Sequence, residues 1–492
     1  MSANPRRVAV VGGGIAGLAA AYFLRESGAT VTVFEGLPQL GGKLAVSDVA
    51  GVSVDAGAEA LLTRRPEGTD LIRAVGLDRQ LVPAGTTSAR IWSRGTFHEL
   101  PSRQFMGVPS DVAALARSGL LSPAGLDRAR LDAELPATPL DGDVSVAAHV
   151  AARFGAEVVD RLVDPLLGGV YAGRSEDLSF EATMPGLASA ARRHRSLAEA
   201  VASLLPPTAA ANGAASNGSS GSGAPRAPVF ATLAGGLGLL PAAVAAASSA
   251  TVRTGSMVRE LRRVPGGWQL VVGPASAAEV VEADAIILAV PARPAGRLLA
   301  APAPAAAAAL AEIRYASMAI VTLAYPRAAF PDPLAGSGYL VPAADGRAVK
   351  GVTFSTVKWP HLSSGEGPHI VRCSIGRVGE DTVLQRDDAE LAELAAGELT
   401  AATGVAGQPL ESRVTRWGGA LPQYSVGHTG RVARIRAAVA AEPGLAVCGA
   451  TYDGVGVPAC IATARAAATQ VLGHLGALEA GRGSGGHRDG GQ

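Results

Sequence analysis

The chain opens on a change of hydrophobic period. "RVAVVGGG" (7–14) is an unbroken apolar run rich in β-branched residues, the pattern of a strand buried on both faces of a parallel sheet. "LAAAYFLRESG" (18–28) carries apolar residues at helical spacing and closes on Gly28. "ATVTVFEG" (29–36) returns to a strand and ends on Glu35. This strand–helix–strand order separates the segment from an export signal or a membrane helix, the two other readings of two arginines before a long uncharged run. Further along, residues 81–205 read as mostly helical, and 206–228 as a low-complexity linker predicted to be disordered. Residues 229–300 resume with strand signals, and 301–445 alternate strand-like pieces with one long helix, the pattern of an α+β domain. Residues 446–478 give a strand, a glycine-rich loop and an alanine-rich helix, and 479–492 read as a disordered tail.

The predicted fold is therefore α/β. A Rossmann-like nucleotide-binding domain is assembled from 1–80, 229–300 and 446–478, joined to an α+β substrate domain and an inserted helical region. The uncharged run from Val229 to Val252 reaches membrane length, but its glycines and Pro241 read as a turn followed by a buried helix.

Composition narrows the chemistry. In 492 residues, 43 Lys+Arg nearly balance 42 Asp+Glu, which excludes a broad nucleic-acid surface. Cys373, Cys448 and Cys460 stand far apart, with neither a disulfide framework nor zinc spacing, and the eight histidines form no ligand pair, so no metal site is expected. This cysteine usage suits a reducing, cytoplasmic compartment.

Gly12-x-Gly14-x-x-Gly17 lies at the strand-to-helix turn, and Glu35 lies 18 residues beyond Gly17. A dinucleotide needs this arrangement: a tight turn at Gly12, close backbone approach at Gly14, helix–strand packing at Gly17, and a carboxylate for the ribose hydroxyls. Gly13, Ile15 and Ala16 complete the loop, whose free N–H groups and helix dipole attract phosphate. Gly41-Gly42-Lys43 offers a second turn and a cation. The closing helix, predicted to begin near Gly456-Val457-Pro458, would bring a second helix N-terminus to the cofactor; a flavin, anionic near N1 and C2=O when reduced, suits it.

Several stretches now resemble one family. "VVGGGIAGLAAAYFL", "DPLLGGVYAGRSEDLSFEATMP", "FATLAGGLGLLP", "RWGGALPQYSVGH" and "GVGVPACIATARAAA" are similar to the flavin-dependent protoporphyrinogen/coproporphyrinogen oxidases of haem synthesis, within the amine-oxidase-like flavoproteins. The resemblance spans nearly the whole chain. It implies non-covalent FAD, a porphyrinogen oxidised by molecular oxygen with hydrogen peroxide released, a transient ferrochelatase contact, and at most peripheral membrane association. By the same resemblance, FAD contacts fall at Gly12 to Gly17, Glu35, Gly36, Lys43, Gly57, Ala58, Glu59, Ala60, Val258, Trp417, Val455, Gly456 and Val457. Ala58 stands where the family often has proline. Arg90 matches a position expected to meet a substrate propionate, with Arg174, Lys350 and Lys358 as further cations. No catalytic side chain is assigned. The chain is most similar in character to the high-GC Gram-positive branch, whose usual substrate is coproporphyrinogen III. Protoporphyrinogen oxidase, amine oxidase, carotenoid desaturase and a non-enzymatic flavin-binding adaptor are the alternatives.

Overall fold

The computed structural model describes residues 5–206, 228–363 and 367–485. The low-complexity linker and the end of the tail lie outside these residues. Five parallel strands form the central sheet, in the order Thr251–Arg253, Thr30–Phe34, Arg7–Val11, Ala285–Leu288, Leu445–Val447. The strands come from three distant stretches, and Arg7–Val11 beyond its first residue, Ala285–Leu288 and Leu445–Val447 are apolar and buried on both faces. Val8 and Val10 pack toward the helices Ile15–Leu24, Leu239–Ala247 and Val457–Gly485. Ala9 and Val11 point the other way, into a second core made with the helices Ala292–Leu299, Pro304–Ala311 and His428–Ala440 and an antiparallel three-stranded sheet, residues 258–283.

A seven-stranded sheet forms the second body. Its order is Glu411–Pro422, Tyr315–Tyr325, His369–Ile375, Val349–Phe354, Gly338–Leu340, Arg90–Ser93, Thr96–Glu99. Strand alternation divides its side chains between two faces. Val321, Cys373, Val352, Tyr339 and Trp92 pack against Leu391, Ala395 and Leu399 of the helix Asp388–Thr403. Arg372 and Ser374 flank Cys373 and so lie on the opposite face, and Lys350, at the register shift between Val349 and Gly351, joins them there through its bond to Ser374.

The hairpin Arg90–Glu99 departs from the helical reading of 81–205. Its β-forming Ile91, Trp92 and Phe97 flank a turn at Arg94-Gly95, and it joins the large sheet by parallel pairing with Gly338–Leu340. The helices begin beyond it, the first at Val112, and share an apolar core of their own. That region is clamped by Arg153, whose Nε lies 2.5 Å from Asp132 Oδ1 with both residues 1% exposed. Asp132 in turn accepts from the backbone N–H groups of Leu197 and Ala198 at the start of the helix Leu197–Leu204. The run Val229–Val252 divides into the strand Phe230–Leu233 and the helix Leu239–Ala247. Among the described residues no helix is long and apolar enough to cross a membrane. The closing helix continues to Gly485, past residue 479, where the sequence predicts the tail to begin.

Candidate functional site

The strand-to-helix turn is built around its glycines. Gly12 has φ +111°, and a Cβ there would stand 2.6 Å from the carbonyl oxygen of Ala289. A Cβ on Gly17 would overlap the carbonyl oxygen of Gly12, so the helix packs directly on the turn. A Cβ on Gly14 would meet nothing within 4 Å, which leaves space for a ligand on that side of the backbone. The first intrahelical bond is Leu18 N–H to Gly14 O, so the N–H groups of Ile15, Ala16 and Gly17 have no acceptor within the helix. Glu35 braces the turn: one carboxylate oxygen accepts from Gly13 N–H at 2.6 Å and the other from Leu37 N–H at 2.8 Å.

Glu35, Gly36 and Leu37 run beside the segment 253–257, joined by Glu35 N–H to Arg253 O and Ser256 N–H to Glu35 O. Gly36 therefore meets Met257, and Val258 follows at the start of its strand. These residues form one end of a cleft.

Lys43, Gly57 and Trp417 form its middle. Ala58 donates to Lys43 O at 3.1 Å. A Cβ on Gly57 would overlap that same oxygen and stand 3.0 Å from Trp417 Cζ2, so the segment carrying Ala56 to Ala60 is pressed between the two. Trp417 Nε1 donates to Ala56 O at 2.9 Å, which fixes the indole plane. Burial lowers the pKa of the Lys43 ammonium, and no carboxylate pairs with it among the described residues.

Glu59 points away from this cleft. It bridges Lys358, 2.6 Å from Nζ, and Arg372. Burial alone would raise its carboxyl pKa, but the two cations overcome that and hold it at about 2. Arg372 also donates to Gly57 O at 2.6 Å and so ties the central segment to the large sheet.

The closing helix supplies the other end. Its first residue is Val457, preceded by Val455 and Gly456. The first and closing helices begin side by side: Cys448 Sγ lies 4.0 Å from Ala16 O, and Ile15, Ala16, Val457 and Cys460 share one core. The loop before Val457 is held by Tyr424, whose hydroxyl donates to Ala450 O at 2.6 Å and accepts from Gly454 N–H at 2.8 Å. Tyr315 reaches the hydroxyl of Thr451 at 2.9 Å, and a ring nitrogen of His428 lies 3.0 Å from Tyr452 O.

The structure thus sets Glu35 against the Gly12–Gly17 turn, runs Gly36 beside Met257 and Val258, packs Gly57 between Lys43 and Trp417, and starts the closing helix at Val457 beside Ile15 and Ala16, while Glu59 turns to Lys358 and Arg372. It does not bring Arg90 to the sheet face that carries Arg372 and Lys350. Arg90 pairs with Tyr339, on the opposite face, and its guanidinium lies 4.0 Å over the Phe97 ring. Arg174 pairs with Glu380 at the surface, while Lys350 is buried against Ser374. Sequence reasoning missed Tyr424, Tyr315 and Arg372 as supports of the cleft; the "LPQYSVGH" motif carried a signal for the first.

Two helix N-termini, a glycine turn open at Gly14, a glycine cradle beside an indole and an unpaired buried lysine fit a flavin dinucleotide. Comparison with known proteins agrees. The model of the flavin containing amine oxidoreductase family matches residues 15–472. A coproporphyrinogen III oxidase of Mycobacterium bovis is 40% identical over 482 residues, covering 95% of this chain and 98% of its own. That of Bacillus subtilis is 30% identical, covering 96% of this chain and all of its own. A crystal structure from Exiguobacterium sp. 255-15, assigned to protoporphyrinogen oxidase, superposes with a TM-score of 0.82 at 27% identity, covering 96% and 99% of the two chains. With its cleft and its full-length matches pointing to the same cofactor class, the chain belongs to the flavin-containing amine oxidoreductases and is a flavin-dependent enzyme.

Proposed function

We propose that this enzyme oxidises coproporphyrinogen III to coproporphyrin III in haem biosynthesis, with non-covalently bound FAD and molecular oxygen as the final electron acceptor. Six hydrogens leave the substrate in three two-electron steps, and each pair reduces one oxygen molecule to hydrogen peroxide. A bound flavin supplies the hydride-accepting and oxygen-reducing chemistry. The chain's own residues bind and orient. Gly14 and the N–H groups of Ile15 to Gly17 are placed for the diphosphate, Glu35 for a ribose, and the backbone at Val258 for the adenine. Lys43 would supply positive charge to the bound cofactor, and Trp417 and Gly57 would border its ring system. The segment Val455 to Val457, at a positively polarised helix end, would stabilise negative charge on a reduced flavin bound there.

The observation that carries this reading is the convergence of two helix N-termini on one cleft that also holds Lys43, Gly57 and Trp417. The substrate assignment draws on the coproporphyrinogen III oxidases that match the whole chain. The Exiguobacterium structure favours a second reading, in which protoporphyrinogen IX is the substrate. Anaerobic addition of each porphyrinogen to the holoenzyme separates the two. Coproporphyrinogen III is expected to bleach the flavin and yield a fluorescent porphyrin; a flavin that stays oxidised with it but bleaches with protoporphyrinogen IX overturns the assignment. A cytoplasmic setting and hand-over of the porphyrin to a ferrochelatase belong to the same proposal.

A further inference from the structure

Among the described residues the buried Lys350 makes no direct ion pair with a carboxylate, Glu380 acting on it only from a distance. It is 3% exposed, and its Nζ donates to the Ser374 hydroxyl at 2.6 Å. It lies one strand over from Ser374, and Ser374 pairs with Ile320 beside the strand that carries Trp417. This is the face of the large sheet that Arg372 turns toward Glu59 and the central segment of the cleft. The helix Asp164–Tyr171 packs over the same strands; a Cβ on Gly169 would stand 3.3 Å from Leu340 Cδ2. Yet Gly169 and Val170 are solvent-exposed, Val170 at 40%, and Ser374, Leu340 and Met318 are only partly covered. Lys350 thus lies just beneath a partly covered edge between this helix and the sheet.

A buried ammonium that meets only a neutral hydroxyl is costly unless a ligand completes it. The ligand chemistry that does so is a carboxylate. The two candidate substrates differ in where they carry one. Protoporphyrinogen IX keeps its two propionates on one edge of the macrocycle and presents vinyl groups on the other. Coproporphyrinogen III has a propionate on every ring. A macrocycle entering with one edge outward can place a carboxylate at Lys350 only if its leading edge also bears propionates.

Building on the reaction proposed above, we infer that Lys350 binds a leading-edge propionate of the substrate and thereby selects the tetracarboxylate porphyrinogen over the dicarboxylate one. The flexible four-carbon stem lets Nζ move from Ser374 to the incoming carboxylate. Burial, reinforced by the nearby Arg377 and opposed by Glu380, holds this ammonium at about 7, so an arriving carboxylate also draws it to full charge.

The test compares holoenzyme carrying Lys350→Met with wild type on both porphyrinogens, with FAD content measured alongside. The expected result is a loss of roughly ten- to a hundred-fold in kcat/KM for coproporphyrinogen III, mostly through KM, against less than about threefold for protoporphyrinogen IX. Lys350→Arg should restore most of the preference. Lys350→Gln, which can still donate to Ser374, is read in the same way, so a folding failure of the methionine variant leaves the glutamine variant decisive. Equal losses on the two substrates, or no change in their ratio, overturn the assignment. A wild-type holoenzyme that oxidises neither porphyrinogen refutes the proposed reaction; one that oxidises both, with variants of unchanged ratio, refutes only the role of Lys350.

Discussion

Replacing Glu59 by glutamine removes the carboxylate that stands between Lys358 and Arg372. Its side chain is 13% exposed, so screening by water is slight. The folded protein holds this carboxyl at about 2 against an ordinary 4.5, and a shift of that size corresponds to ~3 kcal/mol. Breaking a buried ion pair on one side costs ~3–5 kcal/mol, so the two routes agree. The loss should appear as a fall of about 3 °C in the melting step that releases flavin. It should also weaken flavin binding, because Arg372 holds Gly57 O. The pH dependence has a definite sign. A depressed carboxyl stabilises the fold above its unfolded pKa, and this contribution is lost as pH falls through the folded value. The gap between wild type and Glu59→Gln should therefore be full at about pH 7 and close between about 4.5 and 2. Thermal melts followed by flavin fluorescence at several pH values read both effects. A gap under ~1 kcal/mol at neutral pH, or one that stays constant down to about pH 2, would refute the reasoning.

Other substitutions probe neighbouring supports. Asp55 is the opposite case: burial raises its carboxyl to about 6, so the charged form costs stability above that pH and not below about 4. Asp55→Asn should then raise the melting temperature at neutral pH, by up to ~3 kcal/mol of stability, and change nothing in acid. Gly57→Val puts side-chain atoms onto Lys43 O and the Trp417 ring, and flavin content after purification should fall at least about tenfold. Tyr424→Phe leaves Gly454 N–H and Ala450 O without their shared partner, a cost of ~1–3 kcal/mol. Equilibrium dialysis should show FAD affinity lowered about fivefold or more, with a changed flavin absorption band; unchanged affinity would mean that the loop before Val457 holds itself.

Local pattern made part of this protein legible. The turn at Gly12, the acid at Glu35 and the helix start at Val457 each follow from residues close by in the chain, and the structure has the tight turn at Gly12, Glu35 bonded to Gly13 N–H and the closing helix starting at Val457. Features that depend on distant partners were not legible. Lys358 and Arg372 meet Glu59 across some 300 residues, and nothing in their own surroundings announces it. The strand period shows that Arg90 and Trp92 share a face, but which face meets the cleft is decided by where the hairpin joins the large sheet. That hairpin went unread because two four-residue strands around Arg94-Gly95 are too short to stand out beside the helices that follow. The alanine-rich closing helix carries no stop signal at residue 479, and it runs on.

Titration of flavin-free protein with FAD, followed by anaerobic coproporphyrinogen III, tests the central claim most directly. Two helix ends closing on one dinucleotide predict uptake of one FAD per chain, much weaker uptake of riboflavin, which lacks the diphosphate, and bleaching of the bound flavin by the porphyrinogen. Protein that takes up no FAD, or that binds riboflavin equally well, would contradict the account at its foundation.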